Sequence, residues 1–93
     1  MGEFGRTPQI KKDGGRDHWS NCYSLLMAGG GIRGGQVYGS SDRLGAEPRD
    51  NPTGPADVHA TIFQSLGIPH DAHLQDTTGR PYPLTEGRVL PLY

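Results

Sequence analysis

Apolar residues are few along this chain and fall into separated clusters. Residues 1–19, MGEFGRTPQIKKDGGRDHW, are polar and glycine-rich and read as loop. Residues 21–28, NCYSLLMA, form a short apolar run without strict alternation, which predicts a strand buried on both faces. GGGIRGG follows as a tight connection, and Gln36-Val37-Tyr38 as a short extension. Residues 40–55 carry Ser, Asp, Gly, Asn and three prolines and read as loop.

The one clear helix is predicted over 55–66, PADVHATIFQSL. Pro55 suits the first helical position, and Asp57 lies at the positive end of the helix dipole. Val58, Ile62 and Leu66 recur every four residues beside Phe63 and predict one apolar stripe. Gly67 supplies a left-handed stop, and Pro69 blocks continuation. A helix this short needs a partner surface. One short strand pair is a meagre one, so the pattern implies a sheet supplied from elsewhere. Residues 69–93 are rich in Pro, His and Gly and end in GRVLPLY, which suggests a short terminal strand.

Composition sharpens that expectation. Leu, Ile, Val and Phe supply 17 of the 93 residues, under the roughly 20% needed to build an apolar core readily. Gly and Pro, at 15 and 8, make up about a quarter of the chain, and glycine has the most backbone entropy to lose on folding. The 93 residues alone are expected to be largely unfolded or molten, the C-terminal part of one larger domain. A net charge of −1 and no basic block longer than Lys11-Lys12 give nucleic acid no electrostatic footprint. The single cysteine, Cys22, excludes an internal disulfide framework and reads as a small buried hydrophobe. No apolar run approaches the ~18 residues of a membrane span.

The chemically suggestive residues lie near the start. Asp17 and His18, in GGRDHW, can both ligate a divalent metal. The plainer reading is a loop histidine with Asp17 as its hydrogen-bond partner. Glu3 offers another carboxylate, and Arg6 has the planar fork that clamps sulfate or phosphate. The plainer reading there is a surface ion pair. Gly29, Gly31 and Gly34 satisfy G-x-G-x-x-G, but GQVYG cannot open the helix that a dinucleotide site requires. His59 reads as structural or solvent-facing, and His70 and His73 have metal-compatible spacing without a supporting carboxylate. No G-x-S-x-G elbow occurs.

GEFGRTP, GRDHW, SLLMAGGGIRGGQVYGSSD, DVHATIFQSLGI and GRPYPL, in that order, resemble the C-terminal end of the uncharacterised domain-of-unknown-function family 1501, abundant in planctomycete bacteria. Its members look like distant relatives of the alkaline phosphatase and sulfatase superfamily. The resemblance implies an α/β fold, with this chain as roughly the last fifth of a three-layer sandwich that has helices on both faces of a central sheet. Met1 then resembles an internal residue at the end of a core strand. The resemblance also implies a site for a divalent metal (zinc, calcium or magnesium). His18 is the leading ligand there, Asp17 and Glu3 stand behind it, and Arg6 lies on the anion. Glu3-Phe4 stands where the superfamily usually has Asp-His. The implied activity is hydrolysis of a small sulfate or phosphate ester by the longer protein. The resemblance further implies that the nucleophile lies in a missing N-terminal part, so that no catalytic residue is expected in this chain. The family implies export to the periplasm behind a twin-arginine signal. Two other readings predict different things: a non-catalytic cell-envelope binding protein that reuses the fold, and a small independent interaction module.

Overall fold

A computed structural model describes all residues, Met1–Tyr93. The chain forms three two-stranded antiparallel ladders and one helix. This small mixed architecture is compatible with an α/β class. It divides into two units: Met1–Met27 with Val37–Pro52, and Ala28–Gln36 with Thr53–Tyr93.

In the first unit β1 (Gly5–Arg6) pairs with β2 (His18–Trp19), setting Gly5 opposite Trp19 and Arg6 opposite His18. The connecting loop holds its own ends together. Thr7 N–H donates to the Asp17 carbonyl at 2.9 Å, Asp17 N–H to Thr7 Oγ1 at 3.1 Å, and the Arg16 guanidinium to the carbonyls of Thr7 and Arg6. Gly14, at φ +83°, takes the left-handed turn that L side chains resist. β3 (Ser40–Ser41) pairs with β4 (Pro48–Asp50) through an irregular register. The Asp42 carboxylate accepts the Ala46 N–H at 2.8 Å and closes the turn between them. Two side chains tie the ladders together. The Trp19 indole donates to the Ala46 carbonyl at 2.8 Å, and the Asn21 amide to Glu47 Oε1 at 2.7 Å. Gly5 lies so close to this segment that a Cβ there would stand 2.5 Å from the Cys22 carbonyl oxygen and 2.8 Å from Tyr23 Cβ.

In the second unit α1 spans Pro55–Ser65, within a residue of the predicted end. Its N-terminus is capped from two directions. The Asp57 carboxylate accepts the Gly54 N–H at 3.1 Å and the Arg88 N–H at 2.9 Å. These two backbone donors, Arg88 first, hold its carboxyl below the usual carboxylate range. At the other end Gly67 is left-handed, and the bonds Ile68 N–H to Phe63 O and Gly67 N–H to Gln64 O close a Schellman stop.

The core is small: Val58, Ala60 and Thr61 of α1 with Leu90 and Leu92 of the terminal segment. Burying two leucines stabilises the chain by at most about 3 kcal/mol each. Thr61 is fully buried and serves as a polar joint. Its hydroxyl donates to the Asp57 carbonyl at 2.7 Å and accepts the Leu90 N–H at 3.0 Å. Tyr93 donates its phenolic proton to the Thr61 carbonyl at 2.9 Å, so the 2.6 Å bond between Tyr93 and Ser65 is donated by the serine. The glycine-rich connection closes over the same tail, with Arg33 N–H and the Gln36 amide both donating to the Leu92 carbonyl.

β5 (His73–Gln75) pairs with β6 (Pro81–Pro83). Cross-strand bonds join residues 72 with 84 and 76 with 80. Leu74 opposite Tyr82 falls in phase with these, and Pro81 and Pro83 fall between them. The two imide nitrogens therefore lie on the outer edge, where no ladder bond is lost. The Asp76 carboxylate accepts both the N–H and the hydroxyl of Thr78, and the Arg80 N–H, so that it closes the hairpin tip.

Several sequence expectations are corrected. Residues 21–28 form no strand, because no neighbouring strand supplies hydrogen bonds, and Leu26 is 90% exposed. Residues 36–38 are unpaired, and Val37 is 94% exposed. The terminal GRVLPLY forms no strand either, and holds to the helix through Leu90, Leu92 and Tyr93. The strands lie instead in stretches that read as loop. The predicted stripe of α1 is only partly covered: Val58 is buried, whereas Ile62 and Leu66 are 39% and 69% exposed. Cys22 is half-buried rather than buried.

Candidate functional site

Three of the four candidate residues, Arg6, Asp17 and His18, lie on the β1–β2 hairpin, and pairing brings two of them together. Directly opposed residues of an antiparallel ladder project to the same face, with Cβ atoms roughly 4.5–5.5 Å apart. Arg6 and His18 are such a pair, and both are exposed. Phe4 touches both. Its ring stacks on the His18 imidazole with centroids 3.9 Å apart and planes inclined by 30°. The Arg6 guanidinium carbon lies 5.7 Å from the centre of the same ring, within cation–π range. His18 meets Phe4 through the ring face and is itself exposed.

Asp17 is placed differently. Its carboxylate lies 3.0 Å from the Lys11 ammonium, and both side chains are more than half exposed. Asp17 is therefore the partner of Lys11, not of His18. Such a pair is worth about 0–1 kcal/mol and yields readily to a stronger competitor. Glu3 sits exposed in the bend before β1. Arg6 lies over Phe4, so the simple Glu3–Arg6 ion pair does not form. Neutral imidazole and carboxylate form a donor set that suits zinc, and carboxylates with water suit magnesium or calcium. His18, Glu3 and Asp17 are of residue types that ligate divalent metals, but Asp17 is engaged by Lys11, and Arg6 rather than a carboxylate stands opposite His18. Nowhere in the chain do three or more His, Cys, Asp or Glu side chains gather as a metal-holding group. His59, His70 and His73 are all exposed, His73 within β5. No helix is long and apolar enough to cross a membrane.

A family model described as a protein of unknown function, DUF1501, matches residues 1–92. The chain belongs to this family. Comparison with curated proteins and with solved structures gave no match. The DUF1501 match spans both units and so takes in the hairpin, the helix and the terminal segment alike.

Sequence reasoning missed three residues that shape this surface. Phe4, two positions before Arg6 in an extended segment, lies on the same side of the chain by the two-residue period of a strand. That signal was present but depended on recognising β1. Lys11 and Arg16 come from the loop, and their partners follow from its closure, which spacing does not encode.

Proposed function

We propose that this chain forms one wall of the active site of a metal-dependent hydrolase acting on small sulfate or phosphate esters, within a longer alkaline phosphatase-like domain. His18 and Glu3 would ligate a divalent metal, zinc, calcium or magnesium, with Asp17 joining after release from Lys11. Arg6 would hold an oxygen of the ester. When bound, the metal supplies a Lewis acid for the ester oxygen and help in activating a nucleophile. The chain's own contribution would be to hold groups of two kinds on one face: an imidazole for a cation and a guanidinium fork for an anion.

One observation carries the reading, namely the register that sets Arg6 opposite His18 on an exposed face. The exposed Ile62 and Leu66 support the larger-domain reading, since a stripe of this kind needs a covering surface. Export to the periplasm is part of the same reading. The test is metal content of the whole protein, with hydrolysis of aryl sulfate and aryl phosphate assayed with and without chelator. Bound metal and chelator-sensitive hydrolysis support the hydrolase. Absence of both, in a folded protein, refutes it and favours a cell-envelope binding protein.

A further inference from the structure

The β5–β6 hairpin packs against no other strand or helix, and every residue of its two strands is exposed. On β5 the outward positions are His73 and Gln75, because Leu74 pairs inward with Tyr82 and the neighbouring ladder bonds run at 72 and 76. His73 and Gln75 therefore present their N–H and C=O groups to the open side. Natural sheets blunt such a border with charge, proline or a covering segment. β5 has none of these: His73, Leu74 and Gln75 include no Lys, Arg, Asp, Glu or Pro.

A border that pairs with itself must complement its own reverse, and β5 does. Turned antiparallel about Leu74, a second copy sets His73 opposite Gln75 twice, and each such pair exchanges two backbone bonds. Leu74 then meets its own counterpart in the close position between them. Leu74 and Tyr82 are opposed within the hairpin, so they share a face, and both are exposed. The pairing joins them into one apolar row, Tyr82, Leu74, Leu74 and Tyr82, across four strands. The flanking carboxylates do not meet, since Asp71 falls opposite Thr77 and Asp76 opposite Ala72. A slip of two residues either way sets Leu74 against Ala72 or Asp76 and breaks the row.

We propose that β5 is a self-association edge whose partner is β5 of a second copy of this chain. The proposal stands on the hairpin alone and is independent of the hydrolase reading. Three residues a side make an interface below the roughly 1,200 Å² of standard complexes, so the association is reversible and depends on concentration.

The test is sedimentation velocity of the whole protein over a concentration series, where a monomer–dimer equilibrium is expected. Gln75→Pro should weaken it about 5- to 150-fold, because two interface bonds are lost at roughly two- to twelvefold each. The hairpin itself should survive, since the Gln75 N–H faces outward, and amide exchange at Asp76, bonded to Arg80, reports that it has. Leu74→Cys, treated with oxidised glutathione, should give a disulfide-linked dimer, because opposed Cβ atoms at roughly 4.5–5.5 Å are near disulfide reach. Gln75→Cys should not, because its counterpart lies opposite His73. A monomer at every concentration overturns the proposal. A dimer unchanged by Gln75→Pro, with Asp76 still protected, places the contact elsewhere and also overturns it. If Gln75→Pro exposes Asp76, the cross-links decide: selective linkage at 74 supports the pairing, and equal yields at 74 and 75 overturn it.

Discussion

Replacing Thr61 with valine tests how the terminal segment is held. The two side chains have nearly the same volume, so packing against Val58 and Leu90 is kept, and only the hydroxyl is lost. That hydroxyl accepts the Leu90 N–H at 3.0 Å in a site where Leu90 is 4% exposed. With valine in place the amide has no acceptor and no water. An orphaned buried donor costs about 1–3 kcal/mol. The bond to the Asp57 carbonyl is lost as well, at smaller cost, because that oxygen keeps its helical partner. The expected penalty for the docked tail is therefore about 1–3 kcal/mol, about 5- to 150-fold in the docking equilibrium. The assay is amide hydrogen exchange of Leu90 by NMR, with the Ile68 amide as control, since its bond to Phe63 belongs to the helix stop. Protection at Leu90 should fall by that factor while Ile68 changes little. Thr61→Ser keeps the hydroxyl and should lose only the methyl contribution of about 0.8 kcal/mol. Unchanged Leu90 protection in Thr61→Val, or no protection in the wild type, would falsify the docked-tail account.

Other outcomes follow from the same contacts. Because the Asp57 carboxyl is held below its ordinary range by the Arg88 and Gly54 N–H groups, its contribution is complete above the unfolded value and is lost as pH falls through the folded one. Asp57→Asn should cost about 1–2 kcal/mol near neutrality and flatten the acid limb of a pH-dependent melt. An unchanged acid limb would show that the cap is idle. Gly30→Ala should destabilise more than Gly29→Ala. Both have positive φ, at about 1–2 kcal/mol for a non-glycine, but only at Gly30 would the new Cβ lie 2.8 Å from Ser65 Cβ. Equal melting shifts would show that the close approach is not maintained. Circular dichroism of the 93 residues alone should give a broad, non-cooperative melt with or without zinc, magnesium or calcium, and a sharp transition would favour the independent module. His18→Ala should lower zinc affinity of the whole protein, whereas Asp17→Asn should lower it less, because Asp17 is already engaged by Lys11.

The helix was legible because four signals coincide within 15 residues: Pro55, Asp57, the four-residue apolar period and Gly67. Each acts locally, so no knowledge of the rest of the chain was needed. The strands were not legible for the opposite reason. Each is two or three residues long, shorter than the span over which alternation can be recognised. Residues 21–28 have the composition of a central strand, yet a strand exists only where a neighbour accepts its hydrogen bonds, and none does. Thr61 was invisible because a threonine in mid-helix looks like a solvated position, and only its partner 29 residues on reveals it as the joint of the core. At the candidate site, residue types were readable, but pairings were not. The Asp17-His18 dipeptide reads as a unit, whereas neighbours on a strand project to opposite faces, so each finds a separate partner, Lys11 and Phe4.

The two outward imide nitrogens of β6 decide from which side the last hairpin can grow. A strand arriving along Pro81–Pro83 meets carbonyl acceptors but no donors, so every second bond of a new ladder would be missing. The opposite border, His73–Gln75, carries an ordinary complement of N–H and C=O groups. Any sheet that this hairpin joins must therefore be built outward from β5, with β6 as its last strand. The same asymmetry keeps copies of the chain from stacking edge to edge in both directions, which an open-ended fibre would require.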